Sequence, residues 1–173
     1  MKLIILGAGG YGRTVADVAQ QLGIYNSVVF LDDNSKDAVG KCADYRNFLA
    51  ADTIFYPAFG NNSLRVGWIQ KLLADGCQVP TIVHPRAYVS PMAALSAGTV
   101  VLPGGIVNTN TVVGMGGIIN CGAIVDHDCV LQEGVHVCLN AVVKADNHLP
   151  AYTKIEAGQI VSNGEYPLVT REK

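Results

Sequence analysis

The sequence predicts a Rossmann-like α/β half domain followed by a left-handed parallel β-helix. Three observations lead there. KLIILG, a short apolar run, is followed at once by the glycine loop GAGGYG. From Val83 to Val143 an aliphatic residue recurs every sixth position without a slip. Three residues after these aliphatics stands, in nearly every unit, Gly, Asn or Asp, the residue types that tolerate positive φ.

The chain has 173 residues, enough for one ordinary domain or two small ones. Half of them are hydrophobic and 15% are charged, so a sizeable core can be buried. The net charge of −2 is spread over interspersed acids and bases, which argues against a nucleic-acid or membrane-surface patch. MKLIILGAGG is too short for a signal-peptide core, and no later run is long enough to cross a membrane. The five cysteines are odd in number and show no CxxC pairing, as expected of reduced thiols in a cytoplasmic protein.

Residues 1–80 alternate strand and helix. KLIILG reads as a buried strand, Arg13 to Leu22 as a helix and SVVFLDD as a second strand ending in two acids. DTIFYPAFG reads as a third strand, NNSLRVGWIQKLLADG as a helix and QVPTIVH as a last strand. Such alternation predicts a parallel sheet with right-handed crossovers.

Residues 81–173 follow the six-residue period. Each unit is a short strand carrying one inward aliphatic, with a small residue two positions before it and a left-handed corner after it. Three units close one triangular coil, so residues 18 apart stack on adjacent rungs about 4.8 Å apart. Asn110, Asp128 and Asp146 then share one corner column, with Asn108, Asp126 and Lys144 beside them and Thr109, His127 and Ala145 between. An Asp126–Lys144 pair is expected from that stacking.

Several residues could carry chemistry. Gly7, Gly9 and Gly12 stand in GxGxxG order after a strand and before a helix, with Asp32 and Asp33 some twenty residues on. Half a Rossmann domain suits one nucleotide better than two. The N–H groups around Gly9, Gly10 and Tyr11 and the helix N-terminus would receive phosphates. Asp32 or Asp33 would bind the nucleoside, unless the loop is only a tight strand–helix turn. Asn61, Asn62 and Arg65 could bind sugar or phosphate, or simply cap a helix. His127 sits at a corner, pointing outward, where an imidazole could act as a base or merely face solvent. His136 projects from a flat face and lies half a coil away, so the two histidines cannot meet within one subunit. Cys121, Cys129 and Cys138 lack ligand-like spacing on one face, so no metal is expected.

With GAGGYG, FLDD, FGNNSLR, IVHPRAYVSP and INCGAIVDHDCV followed by HV, the chain resembles the hexapeptide-repeat sugar-nucleotide acetyltransferases. This family includes the bacillosamine-pathway and perosamine N-acetyltransferases and the NeuD-type sialic acid O-acetyltransferases. The resemblance covers nearly the whole chain, and the nine-residue separation of the two histidines is its most specific mark. It implies acetyl-CoA as co-substrate, a UDP-linked amino sugar as acceptor, and a homotrimer with sites between neighbouring β-helices. It makes His127 the general base with Asp128 as its acidic neighbour. It places His136 and Ala145 against acetyl-CoA, and Gly9, Gly10, Tyr11, Asp32, Asp33, Asn61, Asn62 and Arg65 against the UDP-sugar. Two features depart from it. Tyr11 stands where relatives often carry histidine, and the chain is short after Val143. A sugar O-acetyltransferase, a zinc carbonic anhydrase on the same β-helix and a non-catalytic sugar-nucleotide binder are the alternatives.

Overall fold

The computed structural model describes residues 1–167. The last six residues of the expected second domain, 168–173, lie outside the described residues.

The N-terminal unit is a three-stranded parallel sheet in the order β2-β1-β3. Its strands are β1 (Lys2–Leu6), β2 (Ser27–Leu31) and β3 (Thr53–Pro57). Helix α1 (Gly10–Leu22) follows β1, and α2 (Asn62–Ala74) follows β3. Alternate side chains of β1 bury in opposite directions. Leu3 and Ile5 pack with Val15 and Ala19 of α1, while Ile4 and Leu6 pack with Ile69 and Leu72 of α2. Gly23, at φ 66°, ends α1 by donating its N–H to Gln20 O. A 3₁₀ helix at Cys42–Phe48 covers one edge of the core through Cys42 and Tyr45. It lacks an apolar period and was not legible in the sequence.

Fourteen two-residue strands follow, wound as a left-handed parallel β-helix with three faces. The first face stacks β4 (Ile82–Val83), β7 (Val100–Val101), β10 (Ile118–Ile119), β13 (His136–Val137) and β16 (Lys154–Ile155). The second stacks β5 (Tyr88–Val89), β8 (Ile106–Val107), β11 (Ile124–Val125), β14 (Val142–Val143) and β17 (Ile160–Val161). The third stacks β6 (Ala94–Leu95), β9 (Val112–Val113), β12 (Val130–Leu131) and β15 (His148–Leu149). Every pairing joins residues 18 apart. The sixth-position aliphatics form one continuous core from Val101 to Val161. Its end is closed by Tyr166 and by Asn147, whose Nδ2 donates to Lys144 O and Ser162 O at 2.8 Å each.

The corners behave as the residue types predict. Gly98, Gly104, Asn110, Gly116, Gly122, Asp128, Gly134, Asn140, Asp146 and Gly158 all have φ between 53° and 71°. Tyr152 occupies the same turn position at φ 64°, a conformation costly for a bulky side chain.

QVPTIVH is not a strand of the α/β sheet. Ile82–Val83 pairs instead with Val100–Val101 and begins the β-helix. The outward side chains of the first face, Ile82, Val100 and Ile118, are buried against the α/β unit. Burial of each stabilises the docking by roughly 1.5–3 kcal/mol. The glycine corners let α2 come close: Ile69 and Val66 touch the sites where side chains at Gly116 and Gly134 would begin.

Candidate active site

His127 lies at the corner between the second and third faces. The backbone turns there through Asp128 at φ 58°. Asp126 Oδ1 accepts the His127 N–H at 2.8 Å and Asn108 Nδ2 at 3.1 Å, which fixes the approach to the turn. His127 Nδ1 lies 2.6 Å from Asp128 Oδ2, and both side chains are about half exposed. Asn110, one rung away, donates its Nδ2 to Asp128 Oδ1 at 3.1 Å. The Asp128 hydrogen bond, with the carboxylates of Asp126 and Asp146 nearby, raises the imidazole pKa above its ordinary value. Hydrogen bonds from His127 and Asn110 lower the Asp128 pKa. With Nδ1–H donated to the carboxylate, Nε2 keeps a lone pair that can take a proton.

The expected Asp126–Lys144 ion pair is not formed. Among the described residues Lys144 has no salt bridge, because Asp126 spends its Oδ1 on Asn108 and on the His127 N–H.

His136 stands on the first face, opposite the His127 corner, one rung beyond Ile118. It is half-buried at the edge of the docked α/β unit. Burial first, then the cations of Arg65 and Lys154, lower its pKa to about 4. Asn120 Nδ2 lies 3.2 Å from its Nε2. Asn120 was not singled out in the sequence, although the 18-residue ruler places it on the rung next to His136. Ala145, in the His127 column, is 2% exposed.

In the glycine loop, Gly9 and Gly10 are exposed with open space around them. Gly7, at φ 101°, and Gly12 press together so closely that a Cβ on Gly12 would run into Gly7 O. Gly9 is the N-cap of α1 without a side-chain cap, and the first turn holds no acid, so no side chain caps the first N–H groups of α1. Asp32 is spent on the fold. Its carboxylate accepts the N–H groups of Ala8, Asn34 and Ser35 at 2.8 Å each, which together lower its pKa. These contacts tie the carboxylate to its own loop. Asp33 is exposed and accepts the Cys42 N–H at 3.0 Å. Tyr11 is half-buried with its hydroxyl 3.0 Å from that of Tyr56, which donates to Gly98 O. Burial pushes the Tyr11 phenol up to about 12.

The three residues expected to bind sugar or phosphate, or to cap the helix, all make contacts within the fold. Asn61 caps α2, its Oδ1 accepting the Leu64 N–H at 2.9 Å. Asn62 Nδ2 donates to Tyr152 O at 3.0 Å. Arg65 is fully buried. Its guanidinium donates to Phe59 O and Asn62 Oδ1 at 2.8 Å each, and to the corner carbonyls Gly116 O at 2.8 Å and Gly134 O at 3.2 Å. The planar fork suits this task, since it reaches two successive rungs at once.

Among the described residues no group of three His, Cys, Asp or Glu side chains could hold a metal. Cys129 is buried in the β-helix core, its thiol donating to Lys144 O. A cavity of about 400 Å³ lined by Leu49, Thr53, Asp75 and Cys77 lies at the start of β3, the end of the sheet away from the glycine loop.

A glycine-loop α/β unit docked on a hexapeptide β-helix, with a histidine–carboxylate pair at an outer corner, defines the class. Comparisons with known proteins agree. The PglD N-terminal domain family matches residues 2–72. UDP-N-acetylbacillosamine N-acetyltransferase of Bacillus subtilis (strain 168) is 30% identical over 110 residues, 58% of this chain and 51% of that protein. The alignment therefore spans about half the length of this curated relative. The acetyltransferase domain of PglB from Neisseria gonorrhoeae FA1090, in complex with acetyl coenzyme A, has 34% identity and a TM-score of 0.89, covering 94% of this chain and 82% of that one. PerB from Caulobacter crescentus, in complex with CoA and GDP-perosamine, has 26% identity and a TM-score of 0.79, covering 96% and 91%. The chain belongs to the hexapeptide-repeat sugar-nucleotide acetyltransferase family.

Proposed function

We propose that this chain is an acetyl-CoA-dependent N-acetyltransferase acting on a UDP-linked amino sugar. The His127–Asp128 pair carries the reading. An ammonium has no lone pair, so the acceptor must lose a proton to attack a thioester. The ammonium gives that proton to solvent, and as the neutral amine nitrogen bonds to the acetyl carbonyl carbon His127 Nε2 takes a second proton from the same nitrogen. Asp128 holds the Nδ1–H tautomer and stabilises the imidazolium. The C–S bond then breaks, and the proton leaves with the coenzyme A thiol.

Residues 1–80 act as the sugar-nucleotide domain and residues 81–173 as the acyltransferase domain. Gly9, Gly10 and the open N-terminus of α1 receive phosphate. Asp33, exposed and with only Oδ1 engaged by the Cys42 N–H, offers its other carboxylate oxygen to the nucleoside, and Tyr11 borders the sugar. His136 and Ala145 lie along the acetyl-CoA path. The Neisseria domain in complex with acetyl coenzyme A and the Caulobacter protein in complex with CoA and GDP-perosamine support both substrates.

The protein works as a homotrimer in the cytoplasm. The outward side chains of the second face are Tyr88, Ile106, Ile124, Val142 and Ile160, and those of the third include Ala94, Val112 and Val130. Tyr88 and Ile160 are more than half exposed in the single chain. Two apolar columns flanking the His127 corner suit contact with neighbouring copies.

Mass spectrometry of a mixture of enzyme, acetyl-CoA and a UDP-4-amino sugar tests the reading. It predicts the N-acetylated nucleotide sugar. Preferential acetylation of a hydroxyl acceptor would contradict it and favour sugar O-acetylation.

A further inference from the structure

Arg65 is a buried cation that the proposed chemistry does not use. No carboxylate pairs with it among the described residues. All of its hydrogen bonds go to neutral oxygens. One of these, Gly134 O at 3.2 Å, belongs to the corner that leads into the strand of His136. Such a charge, shielded from water and salt, acts on its surroundings with little screening.

The other neighbours of His136 point the same way. Asn120 Oδ1 accepts the Cys121 N–H at 2.8 Å, which settles the orientation of that amide. Its NH₂ group therefore faces His136 Nε2 and must donate to it. An Nε2–H would set two donors against each other. Lys154, from β16, stacks over His136 in register, and its partner Glu156 offsets part of its charge. Tyr11 and Tyr56, which sense the field of Arg65, are phenols held neutral by burial. Ile118, on the other side in the column, is apolar.

We propose that Arg65 and Asn120 are positioning residues that hold His136 as a neutral ring protonated on Nδ1. His136 is then a hydrogen-bond donor to a ligand oxygen, carbonyl or phosphoryl, and not a second base. Asn120 selects the tautomer and Arg65 disfavours the cation. The assignment does not depend on acetyl transfer, and its test is read on the ring itself.

The test is a histidine-ring ¹⁵N NMR titration of the full chain, compared among wild type, Arg65→Met, Arg65→Lys and Asn120→Asp. Wild type should show the Nδ1–H tautomer near neutral pH and charge only in the region of pH 4. Arg65→Met should move the His136 midpoint up, and Arg65→Lys, which keeps the charge, should leave it low. Asn120→Asp should raise the midpoint and bring a proton to Nε2. A purely structural Arg65 would make Met and Lys behave alike. A wild-type Nε2–H tautomer, a His136 cation near neutral pH, or a folded Arg65→Met with the wild-type midpoint would overturn the proposal. Should both Arg65 variants fail to fold, a wild-type Nε2–H tautomer or a His136 cation near neutral pH still overturns the proposal.

Discussion

Asp128 Oδ2 sits 2.6 Å from Nδ1 of His127, its neighbour in the chain. Asp128 has a left-handed backbone at φ 58° and is held from the next rung by Asn110. One residue thus makes the turn and orients the base. Asp and Asn tolerate this φ better than other side-chain-bearing residues, so Asn is the informative replacement.

The pair sets the pH dependence. A base works when neutral, so acetyl transfer should rise with pH through the His127 pKa. Asp128 raises that pKa above the ordinary value of 6.5. The acid limb of kcat/KM should therefore have its midpoint above 6.5. Asp128→Asn removes the largest cause of the shift, so the limb should move to lower pH and the maximal rate should fall. A limb that stays in place would show that Asp128 serves the turn alone.

Loss of the base should be severe. His127→Asn should lower kcat by about 10²- to 10⁴-fold, the usual share of general-base catalysis, with little change in thermal stability. Steady-state kinetics at saturating substrates, beside a melting curve, separates the two effects.

The docking of α2 on the glycine corners should be sensitive to one methyl group. A Cβ on Gly116 would lie 2.9 Å from Ile69 Cδ1 and 3.6 Å from Arg65 Nε, at φ 67°. Strain and overpacking together should cost about 2 kcal/mol or more for Gly116→Ala, seen as a lowered Tm. Asn61→Ala, which removes only the cap of α2, should cost about 1 kcal/mol.

The apolar outer columns should govern assembly. Ile124→Lys places a charge in the middle of the second face, in register with Ile106 and Val142. Sedimentation should show trimers for wild type and smaller species for the variant. Unchanged trimers would place the interface elsewhere.

Much of this fold could be read from the sequence, for definite reasons. The six-residue period is a backbone requirement repeated many times, so it marks Val101 to Val161 as core and the Gly, Asn and Asp positions between them as corners. What stayed hidden depends on tertiary contacts. Arg65 has the look of a surface ligand residue, yet it is buried because the corner carbonyls of Gly116 and Gly134 need donors once α2 covers them. Asp32 resembles a nucleoside ligand but closes its own loop. Ile82–Val83 fits either domain by period, and only pairing with Val100–Val101 decides. Tyr152 breaks the corner rule. Its ring lies over Gly134, its hydroxyl donates to Glu133 and its carbonyl receives Asn62, contacts that no local pattern announces.

The most direct measurement is release of the coenzyme A thiol from acetyl-CoA in the presence of a UDP-4-amino sugar, compared between wild type and His127→Ala. Release that requires both the amino sugar and His127 is the predicted result. Equal release by a folded His127→Ala protein, or none by wild type, would contradict the assignment of His127 as the base of an amino-sugar acetyltransferase.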